Sequence, residues 1–560
     1  MQKRRFIFII FLFSCISTFA QKADLIFTNA TIITVQAKGH RAAALAISEN
    51  KILATGSNEE VLKLADKNTK IIDLQGKTIV PGFNDAHLHP RPVYPFESPN
   101  YVVDLGPASV KNKEELVALL KKKAAITPEG TTIRGLGYQD TKLGGHPTRQ
   151  LLDQVSTKHP VIITHSSGHI TAVNSFVLKA LGINKNTSDP AGGSFDRGEN
   201  GEPNGVCREN ALRVFMTPGK IKNPPSPTAA EETQAYRKCF EQYIANGITS
   251  ITEAGSSFEK MKIYQKLQEE GLPLRINLLF YEESLNEVIQ KGIRQGFGDE
   301  KLRISGIKVF HGNSLSGRTC WLREPYDMIN PATGKKDYFG IPPKRSQSEL
   351  DSLFLLIHKN GLQIACHSNG DREIEMVLTA IENVQKISPR SNHRHRIEHC
   401  SVTDDSLLQR IKKDEMVVVL HSYIYEHGDK MIPYGPLRWK MMHPNRSVQE
   451  MGIPAAQHSD SPISAAIPLL RLQSLATRTS AEGIVIGENQ RITAEDAIRL
   501  WTIGGAFASF EEKIKGSLEE GKVADLVILS EDPTQTDIFK LKDIKVTHTM
   551  IDGKMVFESK

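Results

Sequence analysis

Two histidines separated by a single residue, His87 and His89, occur in the segment IVPGFNDAHLH. In a β-strand the side chains of residues i and i+2 point to the same side, so both imidazoles can reach one metal ion. Histidines in protein cores produce the same spacing by chance, so the pair by itself is weak evidence. It indicates a metal centre only where further ligands follow it along the chain.

Further side chains that can bind metal stand at the ends of strand-like segments later in the chain. His367 ends LQIACH, His399 ends RHRIEH, and Asp460 follows AAQHS. The active sites of (β/α)8 barrels lie at the C-terminal ends of the strands, where such side chains would converge. Asp460 has a second interpretation, because an aspartate that closes a strand also caps a following helix. The position of Asp460 alone does not show whether it caps a helix or holds a metal-bound water.

Lys308 lies inside the apolar segment ISGIKVF. Most lysines are surface residues, and that is the alternative interpretation here. A charged ammonium within an apolar segment is costly unless something compensates it. A metal site would compensate it if the neutral amine were converted to a carbamate.

The cysteines do not indicate a disulfide framework. The chain has six, of which Cys15 lies in the N-terminal leader, and no two of them have CxxC spacing. Cys366 and Cys400 adjoin His367 and His399, and neighbours in a strand face opposite ways. If the histidines face the barrel interior, the two cysteines pack outward beneath the helices as small hydrophobic residues.

Strand-like and helical patterns alternate through the middle of the chain. Helical spacing of apolar residues occurs in EELVALLKKKAA, SELDSLFLLIHKNG and DDSLLQRIKKDE. This repetition predicts a parallel α/β fold, and specifically a (β/α)8 TIM barrel over residues 81–510. The strand-like segments are PVIITHS (160–166), GITSITEAG (247–255), RISGIKVFHG (303–312), LQIACHS (362–368), RHRIEHC (394–400), MVVVLHS (416–422) and IPAAQHS (453–459).

Three other regions have patterns that differ from the barrel. Residues 21–80 and 511–560 contain short β segments that end in turn residues, which predicts one small β domain built from both chain ends. Residues 184–230 are rich in Gly, Pro, Asn and Asp. They are too long for an ordinary connection, so we predict a functional loop or insertion there, within a larger insertion around residues 90–230.

The first twenty residues are typical of a signal peptide. Lys3, Arg4 and Arg5 precede an apolar segment that is shorter than the roughly 20 residues of a membrane helix, and small residues at 18 and 20 fit a cleavage site after Ala20. The prediction is an exported protein, periplasmic or secreted, with residues 1–20 removed. Lipid attachment at Cys15 and a buried N-terminal helix are the weaker alternatives.

Size and charge restrict the kind of partner. A chain of 560 residues is long enough for one large and one smaller domain, and 39% apolar with 24% charged residues is ordinary for a globular protein. The formal net charge is +6, and removal of the three positive leader residues leaves +3. That value is too near neutral to indicate binding to nucleic acid or to an anionic membrane surface, and no stable membrane span is expected.

Nine motifs taken together resemble those of the amidohydrolase superfamily, and within it amidohydrolase family 3, the YtcJ-like metal-dependent hydrolases. The resemblance covers essentially the whole mature chain. Each motif is modest evidence alone, and their common order makes the resemblance strong. In order they are VPGFNDAHLHP, RGLGYQD, PTRQLLDQVSTKHPVIITHSSGHITAVNS, GEPNGVCRENA, GIKVFHGNSLSGRTC, HSNGDRE, HRIEH, HSDSP and EEGKVADLVIL.

The resemblance implies a distorted (β/α)8 barrel with a small β-sandwich built from both chain ends. It implies hydrolysis of an amide-type C–N bond of a small molecule, and it is compatible with a homo-oligomer. Lys308 would be carboxylated and bridge the metal ions, and Asp460 would be both a ligand and the general base, so these two would be catalytic. One or two Zn²⁺ or similar divalent ions would be bound by His87, His89, Lys308, His367, His399 and Asp460.

Three departures from the family pattern leave these ligands unchanged but alter the expected substrate pocket. The chain has Gly312-Asn313-Ser314 where the family has Asp-Gly-Ser, and His421-Ser422 where it has Gln-Pro. It also reads HSNGDRE where the family reads HAxGDxA. Five residues are predicted to face substrate, with hydrogen bonding within loops as the alternative for each: His169, Asn174, Arg318, His311 and His421.

Two other functions compete with amide hydrolysis. A lactone or ester hydrolase would use the same activated water on another polarised carbonyl, and the sequence does not separate the two reactions. An exported metal-binding or ligand-binding protein without catalytic activity would be expected to lack one of the six ligand candidates. All six are present.

Overall fold

The computed structural model describes residues 21–217, 219–330 and 333–559. The predicted signal peptide at residues 1–20, including Cys15, lies outside the described residues. Within these ranges the strands are β1 Leu25–Thr28, β2 Thr31–Ile33, β3 Arg41–Ala42, β4 Ala44–Ser48, β5 Lys51–Gly56, β6 Lys70–Asp73, β7 Thr78–Pro81, β8 Phe83–Leu88, β9 Val103–Asp104, β10 Ile133–Tyr138, β11 Val161–His165, β12 Ile170–Val173, β13 Gly193–Arg197, β14 Pro203–Glu209, β15 Ile248–Ser256, β16 Arg275–Tyr281, β17 Phe297–Gly298, β18 Leu302–Phe310, β19 Gln363–Ser368, β20 Arg396–His399, β21 Val417–His421, β22 Ala455–His458, β23 Leu526–Leu529, β24 Val546–Ile551 and β25 Lys554–Glu558.

The helices of the same ranges are mostly short. None of them is both long enough and apolar enough to cross a bilayer. The α-helices are α1 Asn58–Leu62, α2 Lys113–Ile126, α3 Asp140–Leu143, α4 Arg149–Asp153, α5 Ser175–Leu181, α6 Ala229–Ala245, α7 Phe258–Glu269, α8 Leu285–Gln290, α9 Gln347–Lys359, α10 Asp371–Ile387, α11 Asp405–Lys413, α12 Ile424–His427, α13 Pro436–Trp439, α14 Asn445–Glu450, α15 Pro468–Thr477, α16 Ala494–Arg499 and α17 Gly505–Ala508. Short 3-10 helices are Asn210–Met216, Glu282–Ser284, Gly428–Tyr434, Glu488–Gln490 and Leu541–Asp543, and Leu500–Gly504 is a π-helical turn between α16 and α17.

Eight parallel strands form a barrel in the order β8-β15-β16-β18-β19-β20-β21-β22. The first and last strands meet, because the Asp460 amide donates to the His87 carbonyl at 3.0 Å and the His89 amide donates to the Ser461 carbonyl at 2.7 Å. Helices cover the outside, so these strands are buried on both faces. Strand β21 is almost continuously apolar, whereas β8 and β19 also carry buried polar side chains that face the barrel interior. The predicted (β/α)8 barrel is confirmed.

The barrel helices begin next to the ends of the strands that carry the candidate ligands. Helix α11 follows β20, and the Asp404 side chain caps it by accepting from the Leu407 amide. Helix α10 follows β19 and packs an apolar face, including Ile374 and Ile381, into the main core. Short strand-to-helix connections therefore hold the C-terminal strand ends in place around one end of the barrel, which we call its mouth.

The cysteines lie in apolar surroundings. Cys366 and Cys400 are fully buried in the main core, among the strands and the helices that cover them. Every cysteine of the described residues is free. The expectation that the chain has no disulfide framework is therefore confirmed for those residues.

A second sheet, in the order β13-β14-β12-β11-β10-β9, lies between the first and second barrel strands in the sequence. It includes Val161–His165, so the assignment of PVIITHS to the barrel was wrong. The barrel uses Arg275–Tyr281 instead, a strand that the sequence analysis did not identify. A short buried β segment has the same pattern in either sheet, since the pattern does not identify the partner strands. The stretch 184–230 also contains strands β13 and β14.

The chain ends combine in small sheets. Strands from both ends form the order β25-β24-β23-β7-β2-β3, and β5-β4-β1-β6 forms a further sheet. Strand β7 pairs antiparallel with β23, which places Ile79 beside Ile528. The predicted small β unit from both chain ends is confirmed. Gly82 links β7 to β8, and any Cβ there would collide with the Thr249 side chain.

Candidate metal centre

The barrel closure brings His87, His89 and Asp460 together. The two histidines lie on or just after β8, and Asp460 follows β22, the neighbouring strand. The Nε2 atom of His87 is 3.5 Å from Asp460 Oδ1, and that of His89 is 3.4 Å from the same oxygen. Their ligand atoms all lie within 4.8 Å of one another. One ion can therefore contact all three side chains.

A second donor group adjoins the first. The ligand atoms of His399, His421 and His458 lie within 4.8 Å of one another. The His399 ring centroid is 4.8 Å from that of His87 and 4.6 Å from that of His367. The structure thus places His421, predicted to contact substrate, among the possible metal donors.

His458 was missed by the sequence analysis as a candidate. It stands two residues before Asp460, the same spacing as His87 and His89, and it is the last residue of β22. His458 is fully buried, and neither of its ring nitrogens has a hydrogen-bond partner among the described residues. Buried polar atoms are normally paired, so this imidazole is a candidate for a bound ion.

Lys308 lies beneath the same group. It is fully buried, and its Nζ is 3.2 Å from His87 Nε2 and 5.0 Å from the centroid of the Phe310 ring. Burial lowers the pKa of Lys308 to about 8. The ammonium is therefore easier to deprotonate than that of a surface lysine, as a role for the neutral amine requires.

Glu398 holds the other side of His87. The buried Glu398 carboxylate contacts His87 Nδ1, and Arg396 donates to both carboxylate oxygens, at 2.7 and 2.8 Å. Arg396 also donates to the Ala86 carbonyl at 2.7 Å. A carboxylate on the second nitrogen of a metal-binding histidine fixes its tautomer and leaves Nε2 to face the ion. The sequence analysis did not identify Glu398, which lies next to His399 and belongs to the quoted motif HRIEH.

The backbone is strained at two of the candidate ligands. His399 has a φ of 72° and Asp460 a φ of 56°. Non-glycine residues seldom adopt this left-handed region, and such conformations cluster at functional sites. In both cases the residue closes a barrel strand, where the left-handed turn ends the strand at the mouth.

The donor set fits a divalent transition metal. Imidazole nitrogens and a carboxylate are the ligands that zinc and its neighbours take in catalytic sites. Burial lowers the pKa values of His87, His367 and His458 well below the ordinary value of 6.5, with smaller effects from neighbouring cationic groups. Neutral imidazole is the form that binds metal.

A cavity of about 30 Å³ opens above these side chains. His169 lines it, and His169 Nδ1 is 2.6 Å from Glu209 Oε2. Burial alone would lower the pKa of His169, but the Glu209 carboxylate outweighs it and raises that pKa. The lining residues are Ser167, His169, Ser314, Leu315, Ser316, His367, Asn369, His399, Ser401, His421, Tyr423, Asp460 and Ile463.

Three of the predicted pocket residues do not line this cavity. The Asn174 side chain caps α5 by accepting from Val177 and donates to two backbone carbonyls, so it is used within the insertion. Arg318 is ion-paired with Asp140. His311 is buried, and its ring nitrogens have no partner among the described residues. The sequence analysis predicted that these residues face substrate, with hydrogen bonding within loops as the alternative, and it did not show where their side chains point.

Known proteins resemble this chain over nearly their whole length. The family model described as "Amidohydrolase family" matches residues 70–557. YtcJ of Bacillus subtilis (strain 168), whose name places it among the amidohydrolases, is 29% identical over 94% of this chain and 98% of its own. N-substituted formamide deformylase of Arthrobacter pascens is 25% identical over 96% and 99%. The solved structure of an uncharacterized metal-dependent hydrolase from Pyrococcus furiosus is 27% identical, covers 91% of this chain and 100% of its own, and has a TM-score of 0.67.

Proposed function

This chain belongs to the amidohydrolase family, and we propose that it is an exported zinc enzyme that hydrolyses an amide-type C–N bond of a small molecule. It is a hydrolase acting on C–N bonds, and its family implies a divalent metal. The observation that carries the proposal is the convergence of His87, His89 and Asp460 within 4.8 Å at the barrel mouth.

We assign the ligands by combining this geometry with the family pattern. The ion or ions would be held by His87, His89, Lys308, His367, His399 and Asp460. His421 and His458 would be further donors, since they form a group with His399. Lys308 would act as a carbamate formed when its neutral amine attacks CO₂ and releases one proton. Burial of its amine, which lowers its pKa to about 8, supports that reaction.

The protein groups supply proton transfer and orientation. A bound divalent ion would supply an acidified water and polarisation of the substrate carbonyl. The Asp460 carboxylate accepts the proton of the attacking water and passes it to the leaving nitrogen. Glu398 contacts the Nδ1 atom of His87, which would leave the Nε2 atom free to bind an ion. His169 lies beside the cavity, where its imidazole can donate a hydrogen bond to the substrate.

The relatives favour an amide over an ester or a lactone. One of the similar proteins is named a deformylase of N-substituted formamides, which contain a C–N bond. Ester and lactone hydrolysis use the same chemistry and form the second candidate. A panel of amides, esters and lactones with matched acyl groups separates the two, because amide hydrolysis should dominate.

The decisive experiment measures metal content together with activity. Purified protein should contain one or two divalent ions per chain, with zinc the main metal, and should lose hydrolysis on chelation and regain it when zinc is added back. Asp460→Asn should abolish turnover. Protein that binds no metal while Asp460→Asn keeps full activity would overturn the proposal, and metal binding without hydrolysis of any substrate would favour a metal-binding protein.

Export and domain organisation are also proposals. The leader at residues 1–20 supports export to the periplasm or the medium, and N-terminal sequencing of the mature protein should begin at Gln21. A lipid-modified chain would instead begin at Cys15. We propose that residues 81–510 form the catalytic unit, with an insertion around 90–230, and that 21–80 and 511–560 form the β unit.

A further inference from the structure

The cavity above the candidate ligands is too small for a whole substrate. Its volume is about 30 Å³, and a water needs roughly 10–15 Å³ of such space. It can therefore hold about two water-sized groups, such as the reacting carbonyl and the attacking water. The remainder of any substrate must lie on the rim of the mouth or in a neighbouring cleft.

Phe310 lies on this rim at the end of β18. It follows Lys308 by two residues, so both side chains point to the same side of the strand. Its side chain is 43% exposed, and its ring centroid is 5.8 Å from the ring of His367, which lines the cavity. An apolar ring thus faces solvent beside the reacting centre, where the other side chains are mostly polar.

A second ring extends this surface. Tyr281 ends the neighbouring strand β16 and pairs in register with Lys308. Its ring stacks on that of Phe310 at a centroid distance of 6.3 Å and an angle of 23°. A Cβ on Gly255, at a φ of 131°, would collide with the Tyr281 ring, so the glycine provides the room for it.

Arg345 connects the strand ends that carry Phe310 and Tyr281. Its guanidinium donates to the Phe310 carbonyl at 2.9 Å and also contacts the Glu282 carboxylate. Glu282 follows Tyr281 directly, so one side chain ties the ends of both strands together. The two rings are therefore held on rigid strand ends and do not depend on a loop.

We propose that Phe310 and Tyr281 form a shelf that binds a planar apolar group of the substrate, so that the preferred substrates are amides with an aromatic substituent next to the C–N bond. This inference rests on the proposed function and names its substrate class. Aromatic rings favour offset stacking on one another, and a substrate ring on Phe310 would bury its exposed face. The polar carbonyl would then enter the cavity beside His367.

The main alternative place for the substituent is a cleft of about 720 Å³ between the insertion and the barrel. Ile463 borders both this cleft and the small cavity. The cleft is lined by apolar groups such as Leu136 and Ala466 and by charged groups such as Glu426 and the Lys142–Glu482 ion pair, so it is the competing location that the test must separate from the shelf. Ile467 borders the cleft but not the small cavity, so substitution at Ile467 distinguishes the two locations.

The test compares equilibrium binding of benzamide and acetamide to the full-length, metal-loaded protein by ligand-observed NMR. Binding does not require turnover, so a failure of the proposed hydrolysis leaves this result interpretable. Benzamide should bind the unchanged protein more tightly, and Phe310→Ala should weaken its binding by about 3- to 10-fold, the size of a stacking contact. Acetamide binding should not change. Phe310→Leu keeps an apolar side chain without the ring and should behave like the alanine variant.

Phe297→Ala is the matched control, because Phe297 is 56% exposed at the opposite end of the barrel, beside the start of β18. It should leave benzamide binding unchanged. The proposed shelf is contradicted if the unchanged protein does not bind benzamide more tightly than acetamide. It is also contradicted if Phe310→Ala weakens benzamide binding no more than Phe297→Ala does. It is also overturned if the preference for benzamide survives in Phe310→Ala and is lost in Ile467→Ala.

Discussion

At the scale of single residues, the candidate centre depends on groups that orient the ligands as well as on the ligands. His87 is held between Lys308 Nζ, 3.2 Å from its Nε2, and the Glu398 carboxylate at its Nδ1. Arg396 fixes that carboxylate with two hydrogen bonds. The orientation of one imidazole is therefore set by three buried charged groups on two other strands.

Substitution of Glu398 tests this arrangement. Glu398→Gln keeps the size of the side chain but removes the negative charge that orients the His87 ring. We expect metal affinity to fall about 10- to 100-fold, the usual effect of losing such a partner. Competition with a fluorescent chelator measures it. Glu375→Gln, at a partly exposed side chain of helix α10, is the control and should bind metal normally. Unchanged metal affinity in Glu398→Gln would contradict the orienting role of Glu398.

At the scale of elements, one buried carboxylate ties the loop after β18 to the turn before α10. Glu373 accepts from the amides of Asn313, Trp321, Asn369 and Gly370 at 2.7–3.0 Å. The loop carries Ser314, Leu315 and Ser316 of the cavity. Glu373 therefore positions one wall of the site although it touches no candidate ligand.

Removal of this carboxylate should be costly. Glu373→Ala leaves four buried amides without their acceptor, and we expect about 3–5 kcal/mol of destabilisation. Urea unfolding followed by circular dichroism measures it. Glu375→Ala, which loses only a partly exposed pair with Arg323, should cost less than about 1 kcal/mol. Equal effects in the two variants would show that the amides find other partners.

A histidine cluster near the start of β20 should make stability depend on pH. His358 and His395 share a hydrogen bond of 2.8 Å, and the Ile364 amide donates to His395 Nδ1. Burial holds the pKa of His395 well below its ordinary value of 6.5, with smaller effects from His393 and Arg390. The folded state keeps this ring neutral, whereas the unfolded chain binds a proton below that value. Its contribution to stability is therefore complete above about pH 6.5 and is lost as the pH falls.

His395→Asn removes this titration. Between about pH 6 and pH 5, its free energy of unfolding should fall less steeply than that of the unchanged protein, by up to about 1.4 kcal/mol per pH unit for one proton. Both proteins are compared in the same metal-loaded state, so the other histidines contribute equally. If the free energy of unfolding fell equally steeply with pH in both proteins, His395 would not be the group responsible.

At the scale of the whole molecule, a buried ion pair joins the barrel to the β unit from the chain ends. Arg275 begins barrel strand β16, and its guanidinium donates to Asp525 at 2.7 and 3.2 Å and contacts Asp552. Arg275 is almost fully buried. Because the two carboxylates come from the C-terminal end of the chain, this contact links distant parts of the sequence.

Loss of this arginine should loosen the connection. Arg275→Ala leaves Asp525 buried without its partner, and we expect about 3–5 kcal/mol of destabilisation. Thermal unfolding measures it. The double variant Arg275→Ala with Asp525→Ala should lose less than the sum of the single variants, because the unpaired charge is then gone. Additive losses would show that the two residues do not act as a pair.

The barrel and most of the candidate ligands can be predicted from the amino-acid sequence. Burial on both faces favours short segments rich in apolar residues, as in β18 and β21, and that pattern can be read locally. The same-side rule placed His87 with His89, and the order of motifs added Lys308, His367, His399 and Asp460. The family resemblance, not the pattern alone, gave the latter residues their expected roles.

The identity of neighbouring strands and the surroundings of each side chain became visible in the folded chain. The tertiary structure moved Val161–His165 out of the barrel and put Arg275–Tyr281 into it. It added His458 and Glu398 to the site, and it turned Asn174 and Arg318 to partners outside the cavity. Side-chain alternation is a local property, whereas strand pairing and barrel closure join residues hundreds of positions apart. The local pattern indicates that a side chain faces the interior, and closure determines which side chain it meets there.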